Sequence, residues 1–217
     1  MRFVYPARGL KSWQNIPIFM ATYTLIAPDV VEIATSHVER HSPITGEDLF
    51  WLGDIGRAEL VKGEIIRMSP TGYTHGLIES QVAHLLRTFV MKHHLGRVLT
   101  GEVGIYTQRN PDSVRAADVA YISNERLAQV ESHSYLDVAP ELIVEIISPG
   151  DRWTNIEDKL DEYFAIGVRL VWLVNPQKRE IFIYHAPTDV TRLTAEATLS
   201  GEDVLPGFEV TVAEFFE

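Results

Sequence analysis

The stretch from Glu141 to Asn175 limits the possible folds of this chain more than any other. It reads ELIVEIISPGDRWTNIEDKLDEYFAIGVRLVWLVN. Leu142–Ile147 has the length and apolar character of a buried strand, the Ser-Pro-Gly-Asp turn ends it, and an apolar pattern of helical period then runs to Gly167. Leu170–Val174 is a second buried strand. A strand, a crossover helix and a strand of this kind predict a right-handed parallel unit with the helix on one sheet face.

Two charged residues stand out within this unit. Glu145 interrupts the first strand, and a carboxylate inside a core sheet needs a partner. Thr154 and Glu157 predict a capping box at the start of the helix. At about 100° per residue, Lys159 then lies on the flank of the apolar stripe, within reach of the sheet near Glu145. The alternatives are a Glu145 on an exposed face and a Lys159 that is solvated or paired with acids of its own helix.

Composition and charge restrict the class of protein. The chain has 217 residues, 46% of them hydrophobic and 23% charged, which suits one globular domain. We expect a domain over residues 43–217 after an N-terminal extension, residues 1–42. The chain has no cysteine, which excludes disulfides, thiolate zinc sites and a cysteine nucleophile. No run approaches the roughly 18 apolar residues of a membrane span, so we expect a cytoplasmic protein without membrane contact.

The remaining segments predict further strands and helices around this unit. They are a hairpin over Ala58–Met68, a long helix over Thr74–His93, strands over Arg97–Thr100 and Glu102–Thr107, a polar loop over Gln108–Ala116, a short strand that begins at Asp118, and a strand over Glu180–Tyr184 that pairs with Leu170–Val174. The fold class predicted is α/β, with a mixed central sheet flanked by helices and a β-rich periphery.

Four charged residues follow one another in an order typical of a known superfamily. Glu64 precedes the long helix, Asp118 opens a strand, Glu145 lies inside the next core strand and Lys159 follows. This order resembles the PD-(D/E)XK nuclease superfamily. The segments GEIIRMSPTGYTHGLIESQVAHLL, RAADVAYIS and ELIVEIISPGDRWTNIEDKLDEYFAIGVRLVWLVNP are similar to its Uma-type restriction endonuclease family, from about Ile44 to the C-terminus. Ala117 stands where the family usually has proline.

The resemblance implies a restriction-endonuclease-like fold and a metal-dependent nuclease site. Asp118, Glu145 and the main-chain carbonyl of Ile146 would bind one Mg²⁺, with Mn²⁺ as a substitute, since Mg²⁺ prefers hard oxygen ligands. In this family the lysine comes from the following helix, so Lys159 would orient a water and stabilise charge on the phosphate. Glu64 would add a further acid. DNA is the implied substrate, and a homodimer is expected because two sites most simply cut two strands.

Other functions remain open at this point. The net charge of −11 argues against binding of nucleic acid over the whole surface, and it favours an inactive nuclease-fold module for binding or assembly. A phosphohydrolase for small substrates is a third possibility. If the protein is not a nuclease, Asp118 is simply a polar residue at the start of a strand. His75, near the start of the long helix, either contacts a phosphate or is structural.

Overall fold

A sheet of eight strands is the centre of the structure, a computed structural model that describes residues 42–217. The strands of this sheet are β1 (Ala58–Val61), β2 (Glu64–Arg67), β3 (Gly96–Gln108), β4 (Ser113–Ser123), β5 (Leu142–Ile146), β6 (Leu170–Asn175), β7 (Glu180–Ala186) and β8 (Asp189–Leu193). Two further strands, β9 (Thr198–Ser200) and β10 (Glu209–Thr211), lie outside it. The helices are α1 (Gly46–Trp51), α2 (Tyr73–His93), α3 (Asn124–Leu127), α4 (Trp153–Ala165) and a 3₁₀ helix over Val212–Phe216.

The sheet is mixed, as the sequence predicts. Its strand order is β2-β1-β4-β5-β6-β7-β8, and β3 pairs with β4 beside this path. Strands β5 and β6 are parallel, whereas the other pairs are antiparallel. Strands β9 and β10 form a separate two-stranded sheet. The predicted α/β architecture, a mixed central sheet flanked by helices, is confirmed.

The unit of β5, α4 and β6 forms as predicted, but its helix begins differently. Helix α4 starts at Trp153 after Arg152, and its N-cap makes no side-chain hydrogen bond within residues 42–217. The predicted capping box of Thr154 and Glu157 is therefore wrong. Glu157 instead accepts a hydrogen bond of 2.9 Å from the indole nitrogen of Trp153. A side-chain contact one turn along the helix has replaced the backbone contact that the box requires.

Strand β4 is longer than the sequence predicts. It begins at Ser113, so the predicted loop over Gln108–Ala116 is wrong in its last four residues. Strand β3 runs beside it, with a bulge between Thr100 and Val103. Of the polar residues that suggested a loop, Asp112, Ser113 and Arg115 are buried, and Arg115 is paired with carboxylates there. Asp118 consequently lies in the middle of a strand and not at its start.

The two faces of the sheet pack against different helices. Helix α2 and the C-terminal segment cover one face, where Val144 and Ile146 of β5 are buried. Helix α4 covers the other face, where Ile143 is buried against Leu160 and Tyr163. Because side chains alternate along a strand, Glu145 points to the same face as Ile143. The strand register thus directs Glu145 towards α4.

Two expectations concern parts of the chain beyond this core. The predicted N-terminal extension, residues 1–42, lies outside the described residues except for Ser42, so the domain boundary stays a prediction. Within residues 42–217, no helix has the length and apolar character needed to cross a membrane.

Two glycine substitutions test the packing of β3 and α2. A Cβ atom at Gly96 would lie 2.0 Å from the carbonyl oxygen of Ile122, so Gly96→Ala should lower the free energy of unfolding by about 1–3 kcal/mol. At Gly76 in α2 the nearest atom to an added Cβ is 4.0 Å away, so Gly76→Ala should raise the free energy of unfolding by up to about 1 kcal/mol. Urea unfolding of both variants checks this, and equal effects would contradict the register of β3 and β4.

Candidate active site

The candidate site lies where one edge of β4 has no neighbouring strand among residues 42–217. Strand β1 pairs with β4 at Val114, and β5 pairs with it from Val119 to Tyr121. Both lie on the edge opposite β3, which pairs along nearly the whole of β4. Between them, side chains take the place of a strand. Glu59 accepts a hydrogen bond of 3.0 Å from the N–H of Ala116. Lys159 donates a hydrogen bond of 3.1 Å to the carbonyl oxygen of Ala116.

Asp118 lies inside this gap and is only 5% exposed. Its Oδ2 atom accepts a hydrogen bond of 2.7 Å from the N–H of Ile146. The Nε2 atom of His75 lies 3.0 Å from the same oxygen, but its direction is not that of a hydrogen bond, and this nitrogen has no hydrogen-bond partner among the described residues. Both contacts involve Oδ2, and Oδ1 of Asp118 makes no hydrogen bond with the described residues.

Glu145 and Lys159 form the buried ion pair of the site. The Nζ atom of Lys159 lies 3.2 Å from Oε1 and 3.3 Å from Oε2 of Glu145, and the hydroxyl of Tyr163 donates to Oε1 at 2.5 Å. Burial raises the pKa of Glu145 to about 7, with a further contribution from Asp118, although Lys159 works against this rise.

The same ion pair keeps Lys159 charged. Burial by itself would lower the pKa of Lys159, but Glu145 and Glu59 outweigh burial and raise the pKa above its usual value. The side chain of Lys159 is 20% exposed, so the charged group lies beneath the surface and not on it. The raised pKa favours the protonated form of Lys159, which acts in this site as a hydrogen-bond donor.

Glu59 is a member of the site that the sequence analysis missed. Its Oε1 atom lies 3.0 Å from Nζ of Lys159, and its Oε2 atom lies 3.0 Å from Arg115. Burial would raise the pKa of Glu59, but Lys159 and Arg115 hold it below its usual value. A glutamate inside the otherwise apolar sequence Ala58–Val61 is the same signal that identified Glu145, so it was available in the sequence.

Arg115 joins this cluster to α4. Its guanidinium donates to Glu162 at 2.8 and 2.5 Å, and Glu162 also accepts a hydrogen bond of 2.6 Å from the hydroxyl of Thr107. Burial would lower the pKa of Arg115, but Glu162 and Glu59 raise it. A continuous chain of ion pairs thus runs from Glu145 through Lys159, Glu59 and Arg115 to Glu162.

The structure brings together three of the side chains predicted from the sequence and leaves one apart. Asp118, Glu145 and Lys159 line a single cavity, and Ile146 joins them there. Glu64 does not join them. It is exposed at the start of β2, opposite Val61, and lies outside the cavity lining. The catalytic and metal-binding roles of these residues stay predictions.

The cavity that contains these residues has a volume of about 1090 Å³. The turn before α2, Ser69–Gly72, forms part of its lining, and so does the turn before α4, Ser148–Asp151. His75 connects the two regions, because its Nδ1 atom lies 3.3 Å from the hydroxyl of Ser148. The charged groups lie at the base of a recess, and the two turns and helix starts form its walls.

The charges and donor atoms at this base fit a divalent cation. Three carboxylates, Glu59, Glu145 and Glu162, contact the two cations Lys159 and Arg115. Asp118 lies beside His75. With the four carboxylates ionised and His75 counted as neutral, the formal charge of the cluster is 2 − 4 = −2. In residues 42–217 no group of three or more His, Asp or Glu side chains is already gathered around a metal position. Mg²⁺ requires no such group, since it keeps several waters and binds through one or two carboxylates.

The raised pKa of Glu145 predicts a pH dependence of stability. The folded protein holds the proton of this carboxyl up to a pH of about 7, whereas an unfolded chain releases it near the ordinary value of 4.5. The free energy of unfolding should therefore increase as pH falls from about 7 towards 4.5. Urea unfolding of metal-free wild type and Glu145→Gln checks this. The wild type should gain stability relative to the variant over this range, and parallel curves would contradict the burial of an ionisable Glu145.

Arg115 should be required for stability. Arg115→Met leaves Glu59 and Glu162 buried with one partner fewer, and breaking a buried ion pair typically costs about 3–5 kcal/mol. Arg169→Ala is the matched control, because the pair of Arg169 and Asp203 is 44% and 78% exposed and should contribute less than about 1 kcal/mol. Thermal unfolding measures both, and a difference near zero would show that the buried chain of ion pairs does not hold β4 to α4.

Two comparisons relate this chain to known proteins, by family and by fold, and no curated protein matches it. The family model described as "Uma2: Putative restriction endonuclease" matches residues 47–213. The crystal structure of a putative nuclease belonging to DUF820 from Anabaena variabilis ATCC 29413 has a TM-score of 0.68 and 18% sequence identity, over 80% of this chain and 98% of that chain. At this identity the likeness concerns the fold alone. The family match spans most of the chain and confirms the family predicted from the sequence: the chain belongs to the Uma2 family of putative restriction endonucleases.

Proposed function

We propose that this protein is a Mg²⁺-dependent endonuclease that hydrolyses phosphodiester bonds in DNA. The observation that carries the proposal is the convergence of Asp118, Glu145 and Lys159 at the base of one cavity. Two carboxylates beside a protonated lysine are suited to phosphoryl chemistry, which requires a cation held near a phosphate and stabilisation of the charge that develops on it. Membership of the Uma2 family supports the same reaction class.

Asp118 and Glu145, with the main-chain carbonyl of Ile146, are the proposed ligands of the metal. Oδ1 of Asp118 makes none of the hydrogen bonds described above, and Tyr163 holds the carboxylate of Glu145 in place through Oε1. A bound Mg²⁺ lowers the pKa of a coordinated water and neutralises charge on the phosphate. Deprotonated Glu145 is needed for binding, so its raised pKa makes metal affinity increase with pH up to about 7.

Lys159 is proposed to act as a charged hydrogen-bond donor and not as a base. Its raised pKa keeps the ammonium protonated, so it is suited to stabilise negative charge on the phosphate oxygens. Glu59 and the carbonyl of Ala116 hold Nζ from the side away from Glu145. In this proposal Glu59 takes the place of Glu64 as the additional acid of the site, and its role is to position Lys159.

A non-catalytic binding or assembly module is the competing function. One observation favours it: both oxygens of Glu145 contact Lys159, so the pair can be read as a neutralised structural element. The net charge of −11 also opposes general attraction to nucleic acid. A homodimer, a cytoplasmic location and replacement of Mg²⁺ by Mn²⁺ stay predictions from the sequence.

Metal binding and cleavage measured on the same samples test the proposal. Calorimetric titration with Mg²⁺ and Mn²⁺ should show binding to the wild type and its loss in Asp118→Asn/Glu145→Gln. Cleavage of plasmid DNA should fall by about 10²-fold or more in Lys159→Met, the scale expected for loss of one electrostatic stabiliser.

Glu64→Gln is the matched control for this experiment. Glu64 belongs to the same β1–β2 hairpin as Glu59, but its carboxylate lies outside the cavity. Metal binding and cleavage by this variant should therefore both stay near the wild-type level. Salt-sensitive DNA binding without cleavage would instead identify a binding module. Absence of metal binding to the wild type, with DNA present, would refute the two-carboxylate site.

A further inference from the structure

We propose that Arg87 of α2 and Arg97 of β3 bind the phosphate backbone of DNA at a surface separate from the cavity. The inference rests on the proposed function, which identifies DNA as the partner. Four features of the described residues support it: the distribution of acidic residues along the chain, the lack of carboxylate partners for these arginines, a recess that both arginines line, and the course of α2 between this recess and the cavity.

The segment over residues 80–101 contains no acidic residue, although the chain carries 30 of them. It is the longest acid-free segment within residues 42–217, and it contains three Lys or Arg residues and three His residues. The two glutamates that flank it make contacts of their own. Glu79 accepts a hydrogen bond of 3.0 Å from the N–H of Gly101, and Glu102 is paired with Arg57. In a protein with a net charge of −11, this segment is therefore a local region of positive charge.

Arg87 and Arg97 are exposed, and their charges are not compensated by a neighbouring carboxylate. The arginine salt bridges within residues 42–217 all involve other arginines, namely Arg57, Arg109, Arg115, Arg126, Arg169 and Arg192. Arg97 donates a hydrogen bond of 2.9 Å to the carbonyl of Gly96, which uses one of the five N–H groups of its side chain. Lys92 and His93 lie in the last turn of α2, where the helix dipole already favours positive charge, so they add no support.

The two arginines line the same recess, which has a volume of about 350 Å³. His94 also lines it, and the remaining lining consists of glycine and apolar residues: Val90, Met91, Gly96 and Val98. No carboxylate belongs to this lining, so an anion meets no like charge there. A guanidinium group can donate two parallel hydrogen bonds to a phosphate. Two such groups, one from a helix and one from a strand, suit a phosphate of the DNA backbone.

Helix α2 connects this recess with the cavity. Exposed residues spaced three or four apart form its outer face, and none of them is acidic: Tyr73, Leu77, Ser80, His84, Arg87 and Met91. Tyr73 lines the cavity, whereas Arg87 lines the recess. At 1.5 Å per residue these two positions are about 21 Å apart along the helix, which corresponds to roughly six base pairs of duplex. A duplex that is cleaved at the cavity can therefore extend along α2 to the recess.

The salt dependence of DNA binding tests this inference, because each contact with a phosphate releases counterions. Fluorescence anisotropy measures the affinity of the full-length protein for a duplex of about 24 base pairs, without added metal, from about 50 to about 200 mM salt. Arg87→Gln/Arg97→Gln should reduce the slope of log K against log[salt] by about 1.8, since two phosphate contacts are lost. Its affinity at the lowest salt should fall by about ten-fold or more.

Matched variants separate a phosphate contact from a general effect of net charge. Arg87→Lys/Arg97→Lys keeps both charges and should keep most of the salt slope. Arg169→Gln removes one charge of an exposed ion pair that lies outside both the cavity and the recess, so slope and affinity should stay near the wild-type values. The melting temperatures of these variants should also stay near that of the wild type, because the substituted side chains are exposed.

The outcomes distinguish this inference from the proposed function, with Mg²⁺-dependent cleavage of plasmid measured on the same proteins. An unchanged salt slope in Arg87→Gln/Arg97→Gln, or an equal change in Arg169→Gln, would overturn the inference and leave the nuclease in place. Binding of polyglutamate as tightly as DNA would indicate an acidic protein partner and would overturn it as well. If the double variant weakens DNA binding but the wild type cleaves nothing, the surface is confirmed and the proposed nuclease function is refuted.

Discussion

The contact of one lysine with two buried glutamates is the interaction on which the centre of this structure depends. Lys159 of α4 bridges Glu59 of β1 and Glu145 of β5, and it also binds the carbonyl of Ala116 in β4. Within the part of the chain that the structure describes, no strand pairs with this edge of β4 between β1 and β5, so these side chains satisfy backbone groups that a neighbouring strand would otherwise pair. Removal of the cation would leave two carboxylates buried beside an open strand edge.

Burial of these charged side chains lowers the stability of the fold, but it also gives the site properties that catalysis requires. Burial, with a smaller contribution from the like charge of Asp118, raises the pKa of Glu145 to about 7, so its ionised form is disfavoured in the absence of a further cation. A cluster with a residual charge of −2 is the expected environment for one divalent ion. Perturbed carboxyls in a recess are typical of functional sites, and this accounts for a core sheet that tolerates so many charged side chains.

Membership of the Uma2 family and the properties of this individual chain contribute different information. The family match describes the chain as a putative restriction endonuclease over residues 47–213. The chain of ion pairs from Glu145 to Glu162 and the net charge of −11 are properties of this chain, and they set the charge around the cavity.

The sequence by itself determined the elements whose causes are local. The periodicity of Leu142–Val174 established the parallel unit, and the hairpin predicted over Ala58–Met68 is formed by β1 and β2. The spacing along α4 placed Lys159 on the flank that faces Glu145. Only the tertiary structure decided which carboxylate of the hairpin enters the site, how far β4 extends and where α4 begins. Glu59 and Arg115 are 56 residues apart, and their pairing converts a polar segment into a buried strand. Charge compensation over such a separation leaves no periodic trace in the sequence, because it depends on which strands become neighbours.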